Sequence, residues 1–172
     1  VGAGGAGMNA IAAVLLSMGH SVSGSDLRES AGVNRLRSMG ARIEVGHDAS
    51  NIGNASLICR STAVPDSNVE ILAALDAGRV VLSRAEILAA ICSNKQTIAV
   101  AGTHGKTTTS SMLALALTAA GLEPSFIVGG DLNDIGSGAV WNDQGELFVV
   151  EADESDGTFL KVGAATAIVT NL

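Results

Sequence analysis

The stretch IAVAGTHGKTT, from Ile98 to Thr108, decides the fold of the second half of the chain. Its apolar start predicts a buried strand over 97–101, its two glycines predict a tight loop over 102–107, and a helix is predicted over 108–120. A glycine loop between a strand and a helix points backbone N–H groups at phosphate oxygens. The stretch therefore predicts a phosphate-binding loop on an α/β scaffold.

Two side chains of this loop predict the chemistry of the bound phosphate. Lys106 places a cation against terminal phosphates, and the Thr107 hydroxyl can bind Mg²⁺. Only Thr103 and His104 separate the two glycines, whereas the usual nucleoside-triphosphate loop has four residues there. His104 either touches a phosphate or is exposed. The competing interpretation is a glycine turn with a surface lysine, which a Gly-Lys-Thr run at a strand–helix junction disfavours.

A carboxylate ends another predicted strand, over 147–151. A Mg²⁺ ion beside a phosphate loop needs an oxygen ligand from a neighbouring strand end, and Glu151 is placed to supply it. Each of the next acids either binds the ion through water, orients Ser155 or is solvated: Asp153, Glu154 and Asp156. The sequence therefore predicts Glu151 as a metal ligand and leaves the roles of the other acids open.

The chain also begins with a glycine-rich stretch, GAGGAG over Gly2–Gly7, which fits the pattern G-x-G-x-x-G. In that pattern the glycines allow a tight turn, a close approach to a diphosphate and close packing of helix on strand. Asp26 lies about twenty residues further on, where an acid can bond a ribose or a base. In a chain rich in Gly and Ala the motif can also arise by chance. It does not separate a nicotinamide dinucleotide from a UDP-sugar.

Strands and helices alternate along the chain, which predicts an α/β fold with mostly parallel sheets covered on both faces. A polar break at 93–96 separates two such runs. We therefore predict a Rossmann-like domain over 1–94 and the first part of a P-loop α/β ATPase domain over 95–172. The stretch 129–145 is rich in Gly and Asp and is predicted as loop.

Composition disfavours several classes of protein. The 172 residues are 47% hydrophobic and only 2% aromatic, and the net charge is −7. These values support a packed core and argue against nucleic acid or an anionic membrane as a partner. No apolar run reaches the roughly 20 residues of a membrane span, and no signal peptide is visible.

Cysteine usage predicts a reducing compartment. Cys59 and Cys92 both lie in apolar surroundings and lack the spacing of metal ligands. We therefore expect two buried thiols and a cytoplasmic protein. The chain begins at Val1 with the stub of a strand and stops at Leu172 just after one, so we expect a fragment.

Together these motifs resemble the Mur ligase family, and the resemblance spans nearly the whole chain. The shortened loop G-T-x-G-K-T is similar to that of this family and of its folylpolyglutamate synthase relatives. Within the family, the run EADESD favours the branch that uses UDP-N-acetylmuramate and L-alanine, and a murein-peptide recycling ligase is the branch most easily confused with it. The resemblance rests on AVAGTHGKTTT (99–109), VEADESDGTFL (150–160), the first glycine loop with SGSD (23–26), Gly46-His47, Arg84-Ala85-Glu86 and Thr170-Asn171-Leu172.

The resemblance implies three domains, which bind a UDP-sugar, ATP and an amino acid. It implies that the first is nearly complete here, that the second stops partway and that the third is absent, so the chain alone is expected to be inactive. The implied UDP-sugar residues are Gly4, Gly5, Ala6, Gly7, Ser25, Asp26 and His47, with Ser61, Ala63 and Arg84 as weaker candidates. The implied ATP residues are Gly102, Thr103, His104, Gly105, Lys106, Thr107, Thr108 and Asn171, and the implied Mg²⁺ ligands are Thr107 and Glu151.

The implied activity is ATP-dependent amide-bond formation in peptidoglycan precursor synthesis, through an acyl phosphate, with Lys106 and Glu151 as catalytic residues. Three rival functions stay open on the residues alone. An NAD-dependent oxidoreductase rests only on the first glycine loop and Asp26. A P-loop kinase or nucleoside triphosphatase would carry an unrelated first domain. A non-catalytic binding module would hold the sugar nucleotide and turn nothing over.

Overall fold

Strands and helices alternate over most of the computed structural model, which describes residues 1–132, 136–152 and 158–171. The chain forms two compact units, Val1–Ile87 and Leu88–Leu172, and the division falls within the fourth helix rather than at the predicted break after residue 94. Within the described ranges, the helices lack the length and apolar character that crossing a membrane requires. The elements are α1 (Ala6–Ser17), β1 (Ser23–Asp26), α2 (Ala31–Ser38), β2 (Arg42–Val45), a 3₁₀ turn (Ala49–Ile52), β3 (Leu57–Arg60), α3 (Val69–Asp76), β4 (Val80–Ser83), α4 (Arg84–Cys92), β5 (Gln96–Ala101), α5 (Lys106–Ala119), β6 (Ser125–Leu132), β7 (Ser137–Val140), β8 (Leu147–Glu151), α6 (Thr158–Lys161) and β9 (Thr166–Val169).

In the first unit, two pairs of parallel strands are joined through the first residues of the chain. Strand β1 pairs with β2, and β3 pairs with β4. The backbone of Val1–Ala3 bonds to both pairs, because Gly2 N and Ala3 N donate to Ser25 O and Ser61 N donates to Val1 O. Small and branched apolar residues form one core of this unit: Ala3, Ala12, Ala13, Val33, Leu36, Ala41 and Ile43.

The second unit contains a five-stranded sheet in the order β7-β6-β8-β5-β9. Strands β5, β6, β8 and β9 run parallel, whereas β7 is antiparallel to β6. Helix α5 packs on this sheet, where Ala114 joins a buried cluster with Phe126 and Val149. Each fully buried phenylalanine, Phe126 and Phe148, stabilises the unit by about 1.5–3 kcal/mol. The parallel strands therefore share one carboxyl edge, supported by a packed core.

The predicted α/β fold with mostly parallel sheets is confirmed, and one local prediction is wrong. The stretch 129–145 is not all loop, because β6 runs on to Leu132 and Ser137–Val140 forms the antiparallel strand β7. Its low strand propensity is overridden by pairing with an existing strand, with Phe126 opposite Val140 and Ile127 opposite Ala139. Helix α5 also begins two residues earlier than predicted, at Lys106.

The two thiols are expected to be slow to react in the folded chain. Cys92 is buried and Cys59 is partly buried, and desolvation raises the pKa of Cys59 to about 11 and that of Cys92 to about 12. In the unfolded chain each thiol ionises near its ordinary pKa of about 8.5. Because the thiols hold their protons more tightly in the folded chain, they stabilise the fold. This contribution is complete below about pH 8.5 and is lost as the pH rises towards 11 to 12.

Iodoacetamide labelling at about pH 8.5, followed by mass spectrometry, measures this protection. We expect native labelling to be at least about tenfold slower than labelling in urea, because only the thiolate reacts. Urea unfolding should also show that the wild-type chain loses stability between pH 8 and pH 10. A Cys59→Ala, Cys92→Ala double variant should lose less over the same range, and the difference isolates the contribution of the two thiols. Equal labelling rates in the native and unfolded chains would contradict the burial of these thiols.

Candidate functional site

The second glycine loop lies at the carboxyl end of β5, and α5 begins directly after it. Because β5 lies between β8 and β9, the ends of those two strands flank the loop. Glu151 ends β8, and Asn171 follows β9. Open parallel sheets bind their ligands at this edge. The structure thus brings together the loop, Glu151 and Asn171.

The Glu151 carboxylate is held by donors from two other elements. Its Oε1 accepts from Ser110 Oγ on α5 and from Gly129 N on β6, both at 2.8 Å. Its Oε2 accepts from Thr107 Oγ1 at 3.2 Å. Ser110 is fully buried, whereas Thr107 is exposed. The two contacts to Oε1 therefore fix the carboxylate and direct Oε2 towards the loop and Thr107.

The Lys106 ammonium lies against the loop. Its Nζ donates to Gly102 O at 2.6 Å. Lys106 is also the first residue of α5, whose N-cap, Gly105, provides no capping side chain and whose first turn carries no acid. A lysine and an uncapped helix N-terminus both favour a bound anion. The loop therefore presents a lysine ammonium and an uncapped helix N-terminus, both of which attract an anion.

The oxygen atoms beside the loop fit a hard divalent cation. Thr107 Oγ1 and Glu151 Oε2 approach to 3.2 Å, and a methyl group built on Gly129 would lie 3.0 Å from each of them, so a side chain there would fill the space. Residues 1–132, 136–152 and 158–171 contain no cluster of three or more His, Cys, Asp and Glu side chains. One carboxylate and one hydroxyl match Mg²⁺ bound largely by phosphate and water.

Asn171 supports the second glycine loop by bonding to backbone groups of the loop. Its Oδ1 accepts from Thr103 N at 2.8 Å and His104 N at 3.2 Å, and its Nδ2 donates to His104 O at 3.1 Å. Thr170 Oγ1 also donates to His104 O, at 2.6 Å. Two of the loop N–H groups are therefore bonded to protein, and Asn171 positions the loop. The side chains of His104 and Thr108 are exposed.

In the first unit, the first glycine loop is held by the end of β1. Gly4 N donates to Asp26 Oδ2 at 2.8 Å, and Arg28 N donates to Asp26 Oδ1 at 3.3 Å. The sequence position of Asp26 predicts a ligand for ribose or base. In the structure its carboxylate accepts a hydrogen bond from the loop and so stabilises it. Helix α1 begins at Ala6 after Gly5, without a capping side chain and with no acid in its first turn. Its N-terminus is suited to an anion such as a diphosphate.

Arg84 lies beside the start of α1. A methyl group built on Gly7 would lie 2.7 Å from Arg84 Nη1, so the third glycine of the motif makes room for the guanidinium. Ser61 lies against the first glycine, since a methyl group on Gly2 would meet its Cβ at 2.9 Å. Ala63 N donates to Ser61 Oγ at 3.3 Å, and Ala63 itself is exposed. The structure therefore places Arg84 and Ser61 at the first glycine loop.

Ser25 and His47 lie close together at the ends of β1 and β2, beside the carboxylate of Glu70, which was not predicted from the sequence. Ser25 Oγ lies 2.6 Å from Glu70 Oε2 and 3.2 Å from His47 Nδ1. Glu70 is only 1% exposed, and its Oε1 accepts from Asn51 Nδ2 at 2.6 Å and Asp48 N at 3.3 Å. The two predicted nucleotide residues therefore belong to one buried polar network.

Comparison with known proteins decides the family. The sequence profile described as "Mur ligase family, catalytic domain" matches residues 1–96, which is more than half of the chain. The chain belongs to the Mur ligase family. It is 51% identical over all 172 residues to the UDP-N-acetylmuramate–L-alanine ligase of Trichlorobacter lovleyi and 52% identical to that of Bordetella pertussis. It spans only 38% and 36% of the length of these two curated relatives.

Solved structures of Mur ligases share the fold. A UDP-N-acetylmuramate:L-alanyl-γ-D-glutamyl-meso-diaminopimelate ligase from Neisseria meningitides matches with a TM-score of 0.92 at 32% identity, over 99% of this chain and 59% of its own. A UDP-N-acetylmuramate–alanine ligase from Thermotoga maritima matches with a TM-score of 0.90 at 33% identity, over 99% of this chain and 40% of its own. The α/β arrangement described above is therefore that of this Mur ligase family.

In this Mur ligase chain, Ser110 and Glu70 contact predicted site residues and were not themselves predicted from the sequence. Ser110 could have been found, because it lies one helical turn after Thr107 and so shares its helix face. Glu70 gave no signal, because an acid early in a helix is usually a solvated partner of the helix dipole. The predicted acids Asp153, Glu154 and Asp156, with Ser155, lie outside the described residues.

A side chain at Gly102 is expected to disrupt the loop of this Mur ligase. Gly102 has φ +124°, and a methyl group there would overlap Thr170 Oγ1 and lie 3.0 Å from Asn171 N. Left-handed strain and this overlap together are expected to make Gly102→Ala about 3 kcal/mol less stable. Gly121→Ala is the matched control, because Gly121 has φ +74° but nothing within 4 Å, and it should cost only about 1 kcal/mol. Equal losses in urea unfolding would show that the overlap does not matter.

Proposed function

We propose that this chain is the part of a UDP-N-acetylmuramate–L-alanine ligase that binds the sugar nucleotide and the terminal phosphates of ATP. The observation that carries the proposal is the arrangement of Lys106, Thr107 and Glu151 around one glycine loop. The identity of about 50% with ligases of that name, along all 172 residues, supports the choice of substrates. Because the chain spans 36–38% of those relatives, L-alanine is proposed from their names alone.

The first unit would hold the UDP end of the substrate. The diphosphate would lie at the N-terminus of α1, against the backbone of Gly4, Gly5, Ala6 and Gly7. The Arg84 guanidinium beside Gly7 would add a positive charge to this site. The uridine would then reach the network of Ser25 and His47, and Asp26 would hold the loop in its binding conformation. Ser61 would border the same pocket.

The second unit would hold the triphosphate of ATP. The loop over 102–105 and the N-terminus of α5 would surround the phosphates, and Lys106 would neutralise charge on the terminal one. Thr108, exposed in the first turn of α5, would complete the contacts. Thr107 Oγ1 and Glu151 Oε2 would hold Mg²⁺, which when bound supplies positive charge to the terminal phosphates. Asn171 would keep the loop in shape.

The chemistry that this arrangement would support is activation of a carboxylate. A carboxylate oxygen of UDP-N-acetylmuramate attacks the γ-phosphorus of ATP, so that a C–O–P linkage forms and the bond to the ADP oxygen breaks. The neutral amine of L-alanine then attacks the carbonyl carbon. An amide forms, inorganic phosphate leaves with the bridging oxygen, and the amine loses a proton to solvent. Alignment and neutralisation of charge are the tasks of the protein.

Calorimetry on this chain tests the sugar-nucleotide half of the proposal. We expect UDP-N-acetylmuramate to bind, NADH not to bind, and Mg-ATP to bind weakly or not at all. The NADH arm separates the ligase from the NAD-dependent oxidoreductase that the first glycine loop alone would also allow. Binding of NADH without binding of UDP-N-acetylmuramate would contradict the proposal.

A murein-peptide ligase is the second candidate, because a structure of that activity matches with a TM-score of 0.92. Its identity to this chain is 32%, compared with 51% and 52% for the L-alanine ligases. We therefore expect the full-length ligase to consume ATP with L-alanine and not with L-alanyl-γ-D-glutamyl-meso-diaminopimelate. The opposite preference would assign the second function.

A further inference from the structure

The buried carboxylate of Glu70, on α3, accepts hydrogen bonds from two other segments of the first unit. Ser25 donates from β1 at 2.6 Å, and Asn51 donates from the 3₁₀ turn at 2.6 Å. Asp48 N donates at 3.3 Å, and His47 Nδ1 lies 3.4 Å from Oε2. Asn68 caps α3 by accepting from Glu70 N at 2.9 Å, so the helix start is fixed as well. Glu70 therefore joins three segments that are far apart in sequence.

The same contacts determine which nitrogen of His47 carries the proton. A carboxylate only accepts hydrogen bonds, so the single hydroxyl proton of Ser25 points at Glu70 Oε2, 2.6 Å away. Ser25 Oγ is then left as an acceptor towards His47 Nδ1 at 3.2 Å. His47 Nδ1 must be the donor, and a neutral His47 consequently carries no proton on Nε2.

The Nε2 atom is the part of this histidine that a ligand can use. The His47 side chain is 14% exposed, and no atom of the described residues makes a hydrogen bond to Nε2. The network is also coupled to the first glycine loop, because Ser25 O accepts from Gly2 N and Ala3 N. A change at Glu70 would therefore reach both His47 and that loop.

We propose that Glu70 is a positioning residue of the sugar-nucleotide site, which holds Ser25 in place and keeps neutral His47 protonated on Nδ1, so that Nε2 accepts a hydrogen bond from the uridine. The inference rests on the proposed function, since the uridine is placed at His47 by that proposal. Glu70 itself touches no ligand. It acts through Ser25 and His47, in the way that outer-shell groups fix the tautomer of a metal-bound histidine.

Glu70→Gln keeps the shape of the side chain and reverses the hydrogen-bond polarity. The amide oxygen must face Asn51 and Asp48 N, which both donate, so the amide NH₂ faces Ser25 Oγ. Ser25 then directs its proton to His47 Nδ1, and neutral His47 becomes protonated on Nε2. The substitution should therefore convert His47 Nε2 from an acceptor into a donor without leaving a cavity in place of the Glu70 side chain.

The test combines ¹⁵N NMR of the imidazole with UDP calorimetry on the whole chain. Spectra are recorded over a pH series up to the plateau where the imidazole shifts no longer change, so that they report the neutral tautomer, and a His47→Gln variant assigns the signal. We expect Nδ1–H in the wild type, Nε2–H in Glu70→Gln, and a Kd for UDP about tenfold higher in the variant. Asp76→Asn is the matched control, because it removes an exposed carboxylate from the same helix and should change neither result.

Two results would overturn the inference. One is the Nε2–H tautomer in the wild type, which needs no variant to fold. The other is an unchanged tautomer together with an unchanged Kd in a folded Glu70→Gln chain. Either of these two results would leave the proposed function intact. Failure of the wild-type chain to bind UDP, with the expected tautomers present, would instead contradict the proposed function.

Discussion

Replacement of Lys106 by alanine is expected to lower the rate of amide formation by about 10³-fold in the full-length ligase, with the fold retained. The ammonium lies at the first residue of α5 and is held to the loop by Gly102 O, so it would meet the terminal phosphate where negative charge develops. Coupled measurement of phosphate release, with mass spectrometry of the amide product, reports the rate.

Lys161→Ala provides the control for this loss. Lys161 is an exposed lysine on α6 in the same unit, and its removal changes the net charge by the same amount. We expect a rate within about twofold of the wild type, because the field of an exposed charge is screened by salt. A Lys106→Ala ligase that still forms the amide at the normal rate would show that the loop does not serve catalysis.

Glu151→Gln is expected to lower the same rate by about 10²-fold and to raise the Mg²⁺ concentration needed for half of the maximal rate. The carboxylate presents Oε2 to Thr107 Oγ1, whereas a glutamine has only one acceptor oxygen for three donors. That oxygen is needed by Ser110 and Gly129 N, which leaves an amide NH₂ at the place proposed for the ion.

Glu146→Gln is the matched control, since Glu146 is an exposed acid just before the same strand. Its Mg²⁺ dependence and its rate should equal those of the wild type. Thermal unfolding of both variants separates a defect at the site from a loss of fold. Unchanged Mg²⁺ dependence in Glu151→Gln would contradict its role as a ligand.

Local sequence patterns sufficed to predict the loop and its neighbours. The apolar run over 97–101 followed by Gly102 and Gly105 predicts a strand and a turn, and the structure has both. Glu151 could be placed because the carboxyl ends of parallel strands share an edge. These inferences need only residues adjacent in sequence and the rule that α/β sheets are mostly parallel.

The remaining features depend on contacts between residues far apart in the chain. Strand β7 exists because Val140 and Ala139 pair with β6, although the intervening sequence is typical of loops. Glu70 is buried because Ser25 and Asn51, 45 and 19 residues away, donate to it. Asn171 supports the loop by bonding to backbone atoms of Thr103 and His104, and no pattern of side chains in the sequence predicts such bonds. Propensity and motif carry no information about such partners.

Isotope transfer tests most directly the central claim that the Lys106 loop serves to activate an acid. The full-length ligase is supplied with UDP-N-acetylmuramate labelled with ¹⁸O in its carboxylate, together with Mg-ATP and L-alanine, and the released phosphate is analysed by ³¹P NMR. The acyl phosphate route predicts one ¹⁸O atom in each phosphate released, since the bridging oxygen leaves with phosphorus. Unlabelled phosphate, formed at the same rate as the amide, would contradict the account.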